Sequence, residues 1–160
     1  MKKSTIAVIA IIAALAVAVA VLFALNWNAI QDRQQLLADG ELHLTHAGDV
    51  FVLTVADIEA LNPQPLDAIL RGGGQPGVDV TFYAVPFRDI MDAFIPLQDD
   101  VDYTVLFSAA DGFATAMPQS EAMQAAYIAL CADRGPFRLI LPGDHFAQRW
   151  VHWLTGIELR

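Results

Sequence analysis

Two histidines and an arginine crowd into PGDHFAQRWVHWL, residues 142–154, beside Trp150 and Trp153. His145 and His152 could hold a metal or move a proton, and Arg149 could fork onto a carboxylate or phosphate. A further cation, Arg71, opens the loop RGGGQPG. Its consecutive glycines free backbone N–H groups for an anion. The loop lacks the Lys-Ser/Thr of a nucleotide-binding P-loop and the spacing of a dinucleotide fingerprint, so a plain connection between strands is the competing reading. His43 and His46 are three apart on an expected strand and fall on opposite faces, which disfavours a shared metal. Zinc needs three or four ligands, and scattered histidines with one cysteine do not make a convincing set. The run Gln98–Asp102 reads as a solvated turn, without calcium-loop spacing. No Gly-x-Ser-x-Gly elbow and no local Cys–His pair supports a hydrolase.

Cys131 is the sole cysteine, so the 160-residue chain forms no internal disulfide. It lies in AYIALCA, an apolar segment that suggests a buried, inert thiol.

The N-terminal part is of a different kind. Ile6 to Leu25 is an unbroken apolar run after Lys2 and Lys3, the only lysines. As a helix it would be roughly 30 Å long, enough to cross a hydrocarbon core. Two readings stand: an uncleaved anchor or a cleaved secretory signal. The length of the run, and Phe23, Leu25 and Trp27 at its exit, favour the anchor. Trp27 suits the interfacial aromatic belt. The lysine pair stays on the cytoplasmic side and sends the remainder across. The expectation is a single-pass inner-membrane protein with its C-terminal domain in the periplasm.

Beyond the lysines stand seven Arg and eighteen Asp or Glu, a charge of about −11 on that part. Such a surface repels phosphate backbones and excludes nucleic acid as a partner.

The element order places these residues. Residues 1–37 form the anchor or signal helix with a polar extension, and 41–160 the globular domain. Glu41–His46 and Val50–Thr54 alternate around a turn and predict a hairpin. Thr54 with Asp57 predicts a capping box opening a short helix. Strands are expected at 66–70, 78–85, 101–108, 114–117, 127–131, 137–141 and 157–159. Helices are expected at 87–94, behind Pro86, and at 120–125. Short strands with interspersed helices give an α+β class with a mixed, mostly antiparallel sheet.

At PFRLILPGDHFAQRWVHWLTGIEL the chain resembles the molybdopterin-binding fold of sulfite oxidases and related molybdopterin-dependent oxidoreductases. That family closes its pterin domain with Gly-Pro-x-Arg-Leu-apolar-x-Pro-Gly, matched by Gly135, Pro136, Arg138, Leu139, Pro142 and Gly143. A Gly-Ala-Arg-x-Val-Lys-Trp-Leu-x-x-Ile segment follows, matched by Arg149, Val151, Trp153, Leu154 and Ile157. Upstream, VTFYAVPFRDIM resembles the family's strand-to-helix step and FSAADGF its Asp-Gly-Tyr turn. The resemblance spans roughly residues 41–160.

It implies that Arg149, and His152 in the usual place of Lys, face a pterin phosphate, with His145 and Arg71 as further cofactor-binding candidates. Two departures count against full activity. Ala147-Gln148 replaces Gly-Ala, and the Cys that ligates molybdenum in the family has no counterpart, since Cys131 stands elsewhere. The expectation is therefore a binding or accessory module of a membrane redox system, with no protein-held metal and molybdopterin as the only cofactor in view. The alternatives are an active molybdopterin oxidoreductase and a purely structural subunit of a membrane complex.

Overall fold

The computed structural model describes residues 3–70, 77–95, 102–131, 135–144 and 147–160. The chain divides into two compact units, Met1–Asp32 and Arg33–Arg160.

Helix α1, Lys3–Asp39, supplies nearly all of the first unit. It is the one helix among the described residues long and apolar enough to cross a membrane. Its large apolar side chains from Ile11 to Trp27 are more than half exposed.

In the second unit, Gly40 ends α1 at a positive φ of 71°, and its N–H bonds back to Leu37. β1 (Glu41–His46) and β2 (Asp49–Thr54) form the expected hairpin. Ala47 and Gly48 turn it, both in left-handed geometry. Leu42, Leu44 and Leu53 point inward and are fully buried. Thr54 then caps α2 (Val55–Ala60) through the capping box: its side chain accepts from the Asp57 N–H, and Asp57 accepts from the Thr54 N–H at 2.8 Å.

β3 (Gln64–Leu70) and β4 (Val78–Pro86) follow, and Pro86 leads into α3 (Phe87–Phe94). Phe87, Ile90 and Met91 form the buried stripe of α3 at helical spacing. The remaining elements are β5 (Thr104–Ala109), β6 (Ala114–Pro118), α4 (Gln119–Ala125), β7 (Tyr127–Leu130), β8 (Phe137–Ile140) and β9 (Leu154–Leu159).

Two sheets result. One has the order β2-β1-β9-β5-β6, the other β3-β4-β7-β8. All pairings are antiparallel except β1 with β9. The architecture is α+β with antiparallel and mixed sheets and short helices. One apolar cluster draws on both sheets, with Phe87 of α3 meeting Phe107 of β5 edge-on at 5.4 Å.

β9 begins three residues earlier than the Ile157 start expected from sequence. Leu154 and Thr155 are buried, and Gly156 lies against Ser108, so tertiary pairing carries the strand through a glycine with little strand preference of its own. β8 differs in a second way. Alternation would turn Arg138 outward, yet all four residues of β8 are buried.

Candidate functional site

The Arg138 guanidinium is the polar group at the centre of the site, and sheet geometry explains its position. Leu139 and Val151 exchange two backbone hydrogen bonds, at 2.9 and 3.2 Å. Arg138 and His152 therefore stand directly opposite as the neighbouring non-hydrogen-bonded pair, where side chains come closest. Arg138 Nη2 donates to His152 Nε2 at 2.8 Å. Acceptance at Nε2 requires a neutral imidazole with its proton on Nδ1.

On the strand side, Arg138 pairs with Ala129 of β7, which pairs with Ala84 of β4. These two small residues leave room for the arginine stem to run across the sheet. Its guanidinium carbon rests 5.2 Å from the Phe82 ring centre and 5.4 Å from that of Trp150. Phe82 and Trp150 meet edge-on at 6.0 Å, and the Trp150 Nε1–H donates to the Leu141 carbonyl at 2.8 Å. Only 7% of Arg138 is exposed.

Two clefts adjoin this arrangement, and His152 lines both. One, of about 340 Å³, carries Phe82, Tyr83, Cys131, Arg138 and His152 on its wall. Cys131 and Phe82 lie two residues from Ala129 and Ala84 and so share the sheet face of Arg138. The other, of about 330 Å³, is lined by Asp111, Phe113, Gln148, Trp150, His152 and Trp153. The β5–β6 turn builds one side of it. Phe113 N–H donates to Asp111 Oδ1 at 2.9 Å, and Ala110 N–H donates to the Trp153 carbonyl at 2.9 Å. Trp153 sits at a left-handed φ of 51°, a backbone state costing a bulky residue roughly 1–3 kcal/mol.

Arg149 is near in sequence and differently employed. Nε donates to Asp144 at 3.1–3.2 Å, Nη2 to Asp144 Oδ1 at 2.5 Å, and Nη1 to Glu121 Oε1 of α4 at 2.6 Å. These hydrogen bonds, to Asp144 first and Glu121 second, raise its pKa above that of an ordinary arginine. A phosphate approaching Arg149 would meet two carboxylates already on its fork.

Of the four expected cofactor contacts, His152 lines both clefts and Arg149 is gripped by Asp144 and Glu121. Arg71 and His145 lie outside the described residues. Sequence reasoning used Arg138 only as a motif match and passed over its part in the site. A charged residue inside an otherwise apolar strand was the available signal. His43 lies 3.4 Å from Glu41, and His46 packs edge-on against Tyr103. No group of three His, Cys, Asp or Glu able to hold a metal is found among the described residues.

With the geometry in view, the fold identifies a class of solved structure. The chain is similar to the sulfane dehydrogenase SoxCD from Paracoccus pantotrophus, with a TM-score of 0.58 at 18% identity. The match covers 77% of this chain and 38% of that one. The chain thus has the fold of part of an oxidoreductase. No family model and no curated protein matches it.

Among the described residues, the two expected contacts Arg149 and His152 do not fit a molybdopterin site of the kind the sequence resemblance implies. The arginine in the phosphate-binding position carries two carboxylates, and His152 already accepts from Arg138.

Proposed function

We propose that the chain is a membrane-anchored binding or accessory module of a membrane redox system, built on a sulfite-oxidase-like, molybdopterin-binding-like domain that faces the periplasm. The locked Arg149 carries this reading. Asp144 and Glu121 occupy the fork that would grip a cofactor phosphate, so the domain keeps the scaffold and spends the arginine on itself. The long apolar α1, behind a lysine pair, supports the anchor and its orientation. A tether of this kind raises local concentration beside a membrane partner without demanding high affinity. The dehydrogenase likeness supports a redox context.

A second reading, an active molybdopterin oxidoreductase, draws on one observation: Cys131 shares a cleft wall with Arg138 and His152. That thiol is the only thiolate donor the chain could offer, since Cys131 is its sole cysteine.

One preparation tests both. The full chain is purified from membranes of its native host, and molybdenum and pterin are measured per polypeptide. The binding-module reading expects traces only. A stoichiometric content, lost in a Cys131→Ser variant that still folds, would establish the second reading. Recovery of the chain in the alkaline-extracted soluble fraction would overturn the anchor.

A further inference from the structure

The cleft on the Asp111 side of His152 has a composition that the reading above does not use. Four of the described residues that line it carry aromatic rings: the exposed Phe113 and Trp153, the part-buried His152, and Trp150, which is buried and already has the Arg138 guanidinium over its ring. Phe113 is 44% and Trp153 37% exposed, so large apolar rings are left open to solvent on a concave wall. His152 and Trp153 are tilted at 59° with centres 6.4 Å apart, which sets two walls at an angle instead of a flat stack.

Among the described residues that line this cleft, Asp111 alone carries a carboxylate. Its Oδ1 accepts from the Phe113 N–H at 2.9 Å. Arg33 Nη1 reaches the same turn, 3.9 Å from where a Cβ on Gly112 would stand, and the ion pairs found among the described residues do not join it to Asp111. Arg138 lines the opposite cleft, behind His152. His152 is neutral in its observed hydrogen bond.

Exposed aromatic faces and a carboxylate on one wall suit a particular ligand class. A ring face attracts a poorly hydrated cation, and a quaternary ammonium needs no hydrogen-bond acceptor for each of its substituents. An anion would face Asp111 and a chain of net charge −9. A neutral apolar ligand would leave the carboxylate without a purpose. The volume, about 330 Å³, lies at the lower end of the usual small-ligand range of about 300–1,000 Å³.

We infer that the cleft walled by Asp111, Phe113 and Trp153 is a binding site for a compact quaternary ammonium group. This inference stands apart from the question of molybdenum, because none of its residues is Arg149 or Cys131.

The test uses the full chain in maltoside micelles, with Trp27→Phe so that tryptophan emission reports only Trp150 and Trp153. Choline is titrated against its neutral isostere 3,3-dimethylbutan-1-ol and against inorganic phosphate. Choline should give a saturable emission change, the isostere and phosphate none. Asp111→Asn and Phe113→Leu should each weaken choline binding by about tenfold while near-ultraviolet circular dichroism stays unchanged. Equal binding of the neutral isostere would show a merely apolar cleft and overturn the inference. So would phosphate binding at the same cleft, or a flat choline titration of the folded protein.

Discussion

Arg149 holds Asp144, five positions earlier in the chain, through both Nε and Nη2. The same side chain reaches Glu121 on α4, so one guanidinium ties the loop after β8 to a helix distant in sequence. A bidentate fork of this kind is stronger than a simple surface pair. Its exposure limits the gain: the Arg149 side chain is 38% exposed, and solvent screens the charges.

Arg149→Gln should therefore lower the unfolding free energy by only about 1 kcal/mol, measured by urea denaturation in micelles. Asp144→Asn should cost a similar amount, and the double variant less than the sum, because each single change leaves its partner unpaired. If Arg149→Gln left stability untouched and reduced binding of a phosphate-bearing ligand instead, the internal role assigned to Arg149 would be wrong.

Arg138 differs in burial and so in cost. Its guanidinium is held by two rings and an imidazole, and its stem fills the space over Ala84 and Ala129. Arg138→Ala should destabilise by about 2–4 kcal/mol through lost packing and a cavity. Arg138→Lys should recover little, because an ammonium is not planar and cannot lie against the Phe82 and Trp150 rings. The two variants' denaturation midpoints decide the matter. A fully restoring lysine would show that only charge counts there.

The capping box of α2 sets a dependence on acid. Hydrogen bonds from the Thr54 side chain, then its backbone, hold the Asp57 carboxyl below its ordinary value. A depressed carboxylate pKa contributes stability at pH above the unfolded value, about 4, and loses it as pH falls through the folded one. Asp57→Asn should flatten that part of the pH–stability curve. Thr54→Ala should cost about 1 kcal/mol at neutral pH. The check is thermal unfolding of both variants between pH 3 and 7. An acid limb unchanged in Asp57→Asn would remove Asp57 as its source.

The sequence disclosed those features whose causes are local. The hairpin, the capping box at Thr54 and Asp57, and the helix behind Pro86 depend on residues a few positions apart, and each is found where expected. The site depends on pairing between distant segments. The Leu139–Val151 bridge faces Arg138 with His152, and only then does the arginine lie between Phe82 and Trp150. The local pattern of FRLI singles out the arginine as unusual but does not say which partners it takes. The carboxylates on Arg149 were equally hidden, since Glu121 is far away in sequence.

Gly135 tests how the end of α1 joins the second unit. Its φ of 80° is a state that L side chains rarely adopt. A Cβ there would also collide with the Leu37 side chain and lie 3.2 Å from Trp153 Cδ1. Gly135→Ala combines these effects, and its φ cost alone is about 1 kcal/mol. Leu37 is a flexible side chain, so truncating it should relieve the collision and leave the backbone cost. The expected pattern is a Gly135→Ala loss of about 2 kcal/mol, of which the Leu37→Ala background removes roughly half. Denaturation of the two single variants and the double variant measures this coupling. Strict additivity would mean that Leu37 does not pack against Gly135, and that the last turns of α1 are not part of the second unit's fold.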